Sequence, residues 1–203
     1  WVSARRRLGL HAGLARVQDE VRFAGEFISR DARVACFWGV DSDAPLTNQI
    51  SATSDAWLDV AAGHITGTND DGLNSADSIT FRSATGSGTL VNTTMTAISG
   101  DVSVDSVATI TSGMPVLISD CNNGDIFQVT GISGTSLAHA AGTNTNTSAN
   151  LSKAYASGSR VYQAQQSTFC IAPGADPSQP SLRRLINPTS GQTCASNGDE
   201  LIE

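Results

Sequence analysis

Three histidines, four cysteines and one dense run of oxygen-bearing side chains are the residues of this chain whose types could do chemistry. His11, His64 and His139 stand at wide spacing among plentiful Ser and Asp, so a Ser-His-Asp relay is open on composition. No Gly-x-Ser-x-Gly elbow, His-Glu-x-x-His helix or phosphate loop accompanies them. The expectation is no catalytic residue, no metal ligand set and no cofactor. The run from Thr68 to Asp77 gathers hard oxygen ligands around Gly72, which would suit calcium. Its carboxylate spacing is not that of an EF-hand, and no bidentate Glu follows at the required distance. An Asp/Asn turn with self-capping side chains explains the run more simply.

The cysteines are Cys36, Cys121, Cys170 and Cys194. None forms a CxxC pair and no His lies at ligand spacing from them, which argues against zinc. Scattered Cys in even number, in a polar chain rich in Thr and Asn, read as two disulfides of an oxidising compartment. Four Cys allow three connectivities. The pairing favoured is Cys170–Cys194, which closes a loop containing Pro and Gly, leaving Cys36–Cys121 to tie the first segment to the remainder. Free buried thiols are the alternative.

The chain has 203 residues, enough for one domain with a real core. Its net charge is −7, and Lys153 is its single lysine, so nucleic acid is not an expected partner. Few charged and aromatic residues, with abundant Gly, Ser, Thr and Asn, favour a turn-rich all-β or α+β protein over a charged cytosolic enzyme. No stretch reaches the roughly 20 apolar residues that span a bilayer. Trp1 followed by Arg5, Arg6 and Arg7 resembles the flank of a membrane span that would precede Trp1. The solvated start of a helix explains the same residues equally well.

The elements that must position these residues begin with a helix. Leu10, Leu14, Val17, Val21, Ala24 and Ile28 recur at spacings of three and four, one face of a 3.6-residue period. Charged residues fill the other faces, with Glu26 and Arg30 placed to pair at i, i+4. The pattern predicts a helix from near Trp1 to about Ala35, about 50 Å long, with Gly39 as its stop and its N-terminal part projecting. From there short strands alternate with turns: Ser78 to Ser83, Gly88 to Asn92, Met114 to Ser119, Ile126 to Ile132 and Arg160 to Ala164. The apolar run Pro115–Ser119 reads as a strand buried on both faces. It joins the next strand through Asp120-Cys121-Asn122-Asn123-Gly124, whose Asn-Gly pair is a turn signal. Phe37, Trp38 and Trp57 are expected to seal the helix exit onto the sheet, with an exposed binding patch as the alternative. The polar stretch from Gly142 to Asn150 is expected to be an exposed loop, either solvated or in contact with a surface or partner. The domain reading is a helix over 1–38 and a β-rich head over 39–203.

Three places then resemble the PilW-like minor pilins of type IV pili. They are Arg16–Ala24 with Ile28–Gly39, then Ser119–Thr130 with its Ser-Asp-Cys and Phe-Gln-Val-Thr steps, and Thr168–Ala172 with Pro180–Arg183 and Glu200–Glu203. Relatives usually carry Gly where Cys36 stands and often Cys where Val40 stands. The resemblance implies an α+β pilin-like fold, with a long N-terminal helix packed on an antiparallel β-sheet head with long loops. It implies a structural, non-enzymatic protein that primes pilus assembly or sits at the filament tip, supporting twitching motility, adhesion or DNA uptake. The implied partners are other minor pilins and the major pilin, bound through Leu10, Leu14, Val17, Val21, Ala24 and Ile28. The implied place is the periplasmic face of the bacterial inner membrane, anchored by a span before Trp1, and the extracellular pilus. A J-type pseudopilin of type II secretion, a tip adhesin binding a surface ligand and a secreted hydrolase are the rival readings.

Overall fold

The computed structural model describes residues 2–202, with side chains at His11 and from Gly13 onward. Trp1 and Glu203, and the side chains of Arg5 to Arg7 and Leu10, lie outside what is described. Helix α1 (Val2–Val34) opens the chain. It stops where Cys36 takes a left-handed φ of 70°, after the Ala35 N–H has bonded back to the Asp31 carbonyl. A left-handed residue just past the last turn is a common helix stop, and here it comes three residues before Gly39. Gly39 serves a different purpose. A Cβ there would lie 2.9 Å from both Ser119 Oγ and the Tyr162 ring, so glycine lets the exit strand cross closely over the sheet.

The strands are β1 (Leu46–Asn48), β2 (Ile65–Thr68), β3 (Ser78–Leu90), β4 (Val102–Ser103), β5 (Pro115–Ser119), β6 (Gly124–Gln128), β7 (Gly131–Ser133), β8 (Ser136–Ala138), β9 (Arg160–Pro173), β10 (Pro180–Ile186) and β11 (Asp199–Ile202). A short helix α2 (Cys194–Asn197), capped by Thr193, precedes β11. Strands β1-β6-β5-β9-β10-β11 form one sheet, to which β3 and β2 attach along the other edge of β9. The sheet is mixed, because β1 runs parallel to β6. It also curls, because β9 pairs with β5 through Arg160–Gln163 and then with β10 through Ser167–Pro173. At the fork between them, Asn187 exchanges two hydrogen bonds with Gln166 and so satisfies backbone that no strand reaches. A second sheet, β4-β8-β7, covers one face.

Alternation along β5 divides the core. Val116 and Ile118 enter a cluster with Val102, Phe127, Leu137, Tyr155 and Val161 under the small sheet. Leu117 points the other way, into a cluster with Trp38, Ile50, Leu58, Ile126 and Ala164. The expected doubly buried strand and its hairpin across residues 120–123 are both present.

The expected architecture, a long helix packed on an antiparallel sheet, is overturned. The chain is mainly β, the sheet is mixed and curled, and Leu14, Val17, Val21 and Phe23 on α1 are each more than half exposed. The reason is that both faces of β5 and β6 are already covered, by residues 38–60 on one side and by the small sheet on the other. Among the described residues only the end of the helix finds a buried position, at Asp31. The residues 142–150 are not simply solvated either. Asn146 is buried, accepting from the Gln128 N–H and donating to the Gln128 and Ala140 carbonyls.

One buried carboxylate holds the second half of the head together. Asp125, with no exposed surface, accepts from the Ser152 N–H, the Ser152 hydroxyl at 2.5 Å and the Tyr155 hydroxyl at 2.7 Å. Burial and the Asp125 hydrogen bond push the Tyr155 hydroxyl's pKa up, so it stays a donor. Next to it, Lys153 Nζ lies 2.5 Å from Asp120 Oδ2. Burial tends to raise the Asp120 pKa, but Lys153 and the N–H groups of Asn123 and Asn122 more than offset this and hold it below the ordinary value.

Two outcomes follow from these contacts. Asp125→Ala strands the Tyr155 and Ser152 donors in the core, at about 1–3 kcal/mol per unpaired group. Urea unfolding should therefore shift to a lower midpoint at unchanged slope. For Asp120 the depressed folded pKa means its contribution is present above the ordinary carboxylate value and is lost as pH falls through the folded one. Asp120→Asn should flatten that acid limb of the stability–pH curve, while leaving the neutral-to-alkaline limb parallel to that of the parent protein.

Candidate functional site

The sequence-nominated chemical residues do not converge. His11 is exposed on α1. His64 Nδ1 accepts from Trp38 Nε1 at 3.0 Å, and this bond locks the helix exit to β2. His139 is buried against Phe127 with Nε2 on the Gly100 carbonyl at 2.7 Å. These imidazole bonds engage an indole and a carbonyl, not the hydroxyl and carboxylate that a relay needs. In the acidic run, Asp71 Oδ2 is taken up by the hydroxyls of Thr68 and Ser78, and Asp77 caps the Asp70 N–H. Among the described residues, no group of three or more His, Cys, Asp or Glu is gathered as a metal would need.

Of the four cysteines, Cys170 and Cys194 are disulfide-bonded, stapling α2 to β9 beside Leu185. Cys36 and Cys121 are exposed and unbonded, so the pairing expected for them is absent. The chain leaving Cys36 bonds first to β3, through the Arg82 carbonyl. It reaches the β5–β6 turn only at Val40, which is the residue that bridges to Cys121. The thiol therefore sits four residues short of its expected partner.

Trp38 is buried and Trp57 packs against the same cluster, so these two close the helix exit onto the sheet, whereas Phe37 meets Tyr162 edge-on at 5.7 Å but stays exposed. What the helix brings with it is an ion pair. Asp31, buried in the last turn, accepts from Arg184 Nη2 of β10 at 2.6 Å and from the Ser167 hydroxyl of β9 at 2.7 Å. Arg184 Nε in turn donates to the same Ser167 oxygen, and its guanidinium lies over Phe169. The helix is thus fixed to two adjacent strands by charge-assisted bonds, which are both shorter and stronger than neutral ones.

Beside this triangle lies a cleft of about 400 Å3, walled by Val34, Phe37 and Phe81 and by Arg30, Asp31 and Arg184. A shallower apolar groove runs on from Ile28 over Ile65, Ile79, Ile171 and Leu182. Of the stripe residues whose side chains are described, Ile28 alone lines that groove. Leu14, Val17 and Val21 are exposed and Ala24 is half-buried. Leu10 lies outside the described side chains.

Three buried polar anchors were invisible to pattern reading. These are Asp31, Asp125 and Arg82, whose guanidinium donates to Gln166, the Gly63 carbonyl and Thr66. Burial lowers the Arg82 pKa, and the charge of Asp59 opposes that. Asp125 and Arg82 show in sequence only as a charge beside an apolar strand residue, and Asp31 only as one charge among several on a charged helix, signals shared by many exposed positions. No helix among the described residues is long and apolar enough to cross a membrane. No protein family, curated protein or solved structure matches the chain.

If the triangle is what fixes the helix, Asp31→Asn should loosen it. Arg184 then loses its carboxylate in a largely desolvated place, where breaking one partner of a buried pair costs up to about 3–5 kcal/mol. Hydrogen exchange should quicken over residues 28–35 while β5 and β6 keep their protection.

Proposed function

We propose that this protein is a structural, non-enzymatic subunit of a type IV pilus, of the minor-pilin kind that primes assembly or sits at the filament tip. The observation that carries the reading is a helix whose Leu14, Val17, Val21 and Phe23 stay exposed while its end is fixed to a β-rich head by Asp31 and Arg184. Leu14, Val17 and Val21 share one face of the helix, and apolar side chains left in water along one face are a surface that association would bury. Each such residue fully buried contributes about 1.5–3 kcal/mol. The rigid junction would let a packing force on the helix orient the head. The resemblance of Ser119–Thr130 and of Arg16–Gly39 to PilW-like sequences points the same way.

On this reading the partners are other pilins, met helix to helix, and the place is the periplasmic side of the inner membrane and the filament beyond it. Subunits related by a rotation that does not close build an open filament. No residue carries a catalytic role.

The test is incorporation. Val17→Asp with Val21→Asp, introduced at the native locus, should abolish recovery of the protein in sheared pili. The head should keep its disulfide and its unfolding midpoint, because neither side chain is part of its core. Recovery of the double variant in pili at the parent level would sink the proposal.

A further inference from the structure

The cleft at the helix–head junction has the construction of a ligand site, and nothing in the filament reading uses it. Its volume, about 400 Å3, lies within the span of small-molecule pockets. One wall is apolar, from Val34, Phe37 and Phe81. The opposite wall is polar, and its charges do not cancel. Arg184 is committed to Asp31 and Ser167. Arg30 is not held in the same way. Its Nε stays 3.7 Å from Asp31 Oδ1, and its side chain is 61% exposed at the rim.

Counting Arg30 and Arg184 against Asp31 leaves one positive charge. The C-terminal end of α1 adds only about half a negative charge. The cleft therefore remains cationic beside an apolar wall. The strand that floors it is also interrupted: the register of β3 slips between Thr85 and Thr89, and Gly86 turns to a φ of 79° with nothing within 4 Å of where a Cβ would stand. Such a bulge bends a strand and opens the space beside it, and bulges are frequent next to binding sites.

We propose that this cleft binds an amphipathic carboxylate, its apolar body against Phe37 and Phe81 and its carboxylate at Arg30. A guanidinium offers a planar pair of donors that matches a carboxylate. Two sources carry that chemistry: a free aromatic or aliphatic acid, and an acidic side chain next to an aromatic one on a neighbouring protein.

The experiment is a titration of the whole protein, followed by amide chemical shifts, with phenylacetate, with uncharged 2-phenylethanol and with the blocked dipeptide N-acetyl-Phe-Glu-amide. Phenylacetate should give saturable shifts confined to residues 30–37 and 83–86, and 2-phenylethanol should bind at least about ten-fold more weakly, as expected for a lost charge-assisted bond. Arg30→Gln should abolish that difference, while Arg33→Gln, which changes an exposed neighbour outside the cleft, should preserve it. Tighter binding of the dipeptide than of phenylacetate would assign the site to a protein segment, and weaker binding to a free acid. Absence of saturable shifts, equal binding of acid and alcohol, or an unaltered Arg30→Gln variant would each overturn the proposal. None of these outcomes depends on incorporation into pili.

Discussion

The long strand β9 is hydrogen-bonded along both of its edges, and the positions of nearly all other elements follow from that. On one edge it carries β3 for ten residues, Arg160 to Phe169. On the other it carries β5 and then β10, with Asn187 filling the interval where neither strand reaches. A buried backbone must have its donors and acceptors satisfied, so a strand shared by three neighbours cannot stay flat. Its two halves face different partners, and the sheet curls between them. The first half builds the two-sided core with β5 and β6. The second half, with β10, provides the platform that receives the helix end and the disulfide.

The helix is attached to that platform by little apolar area and by one well-made polar triangle. Asp31, Ser167 and Arg184 each satisfy another's hydrogen-bonding need, so the desolvation of two charges is offset by three short bonds. An apolar contact of the same size would hold the helix as well but would not fix its direction, since packing alone tolerates sliding. The ion pair sets one orientation. That trade suits an element whose exposed residues would be engaged by something else.

Polar anchors perform a similar task in the loops. Asp125 holds Ser152 and Tyr155, Asn146 replaces a missing strand beside Gln128, and Arg82 holds the turn at Gly63. Large apolar residues of the connections, among them Trp38, Ile50, Leu58, Ile110, Leu151 and Tyr155, fill the core, but apolar contact alone tolerates sliding. Buried polar groups with complete hydrogen bonding therefore specify where its long connections lie.

Much of the local structure was legible in the residues alone. The helix period of α1 and the doubly buried strand Pro115–Ser119 are encoded within a few neighbouring residues and formed where their patterns lie. The turn after that strand also formed, but with Cys121 as its left-handed residue and Gly124 already in β6. The pairing of Cys170 with Cys194 was legible because both lie in one short excursion of the chain. Strand lengths were less so: β3 and β9 run 13 and 14 residues, through polar stretches such as Gln163–Thr168 that show no clean alternation. Only the tertiary structure decided that β1 joins β6 in parallel, that Cys36 misses Cys121, and that the helix stays uncovered through Val21 and Phe23, beyond the part expected to project. It also brought Asp31 to Arg184 across more than 150 positions of chain. Contacts of that kind depend on which faces of the sheet are already covered. No single segment carries that information, because it arises only when all the strands compete for the same core.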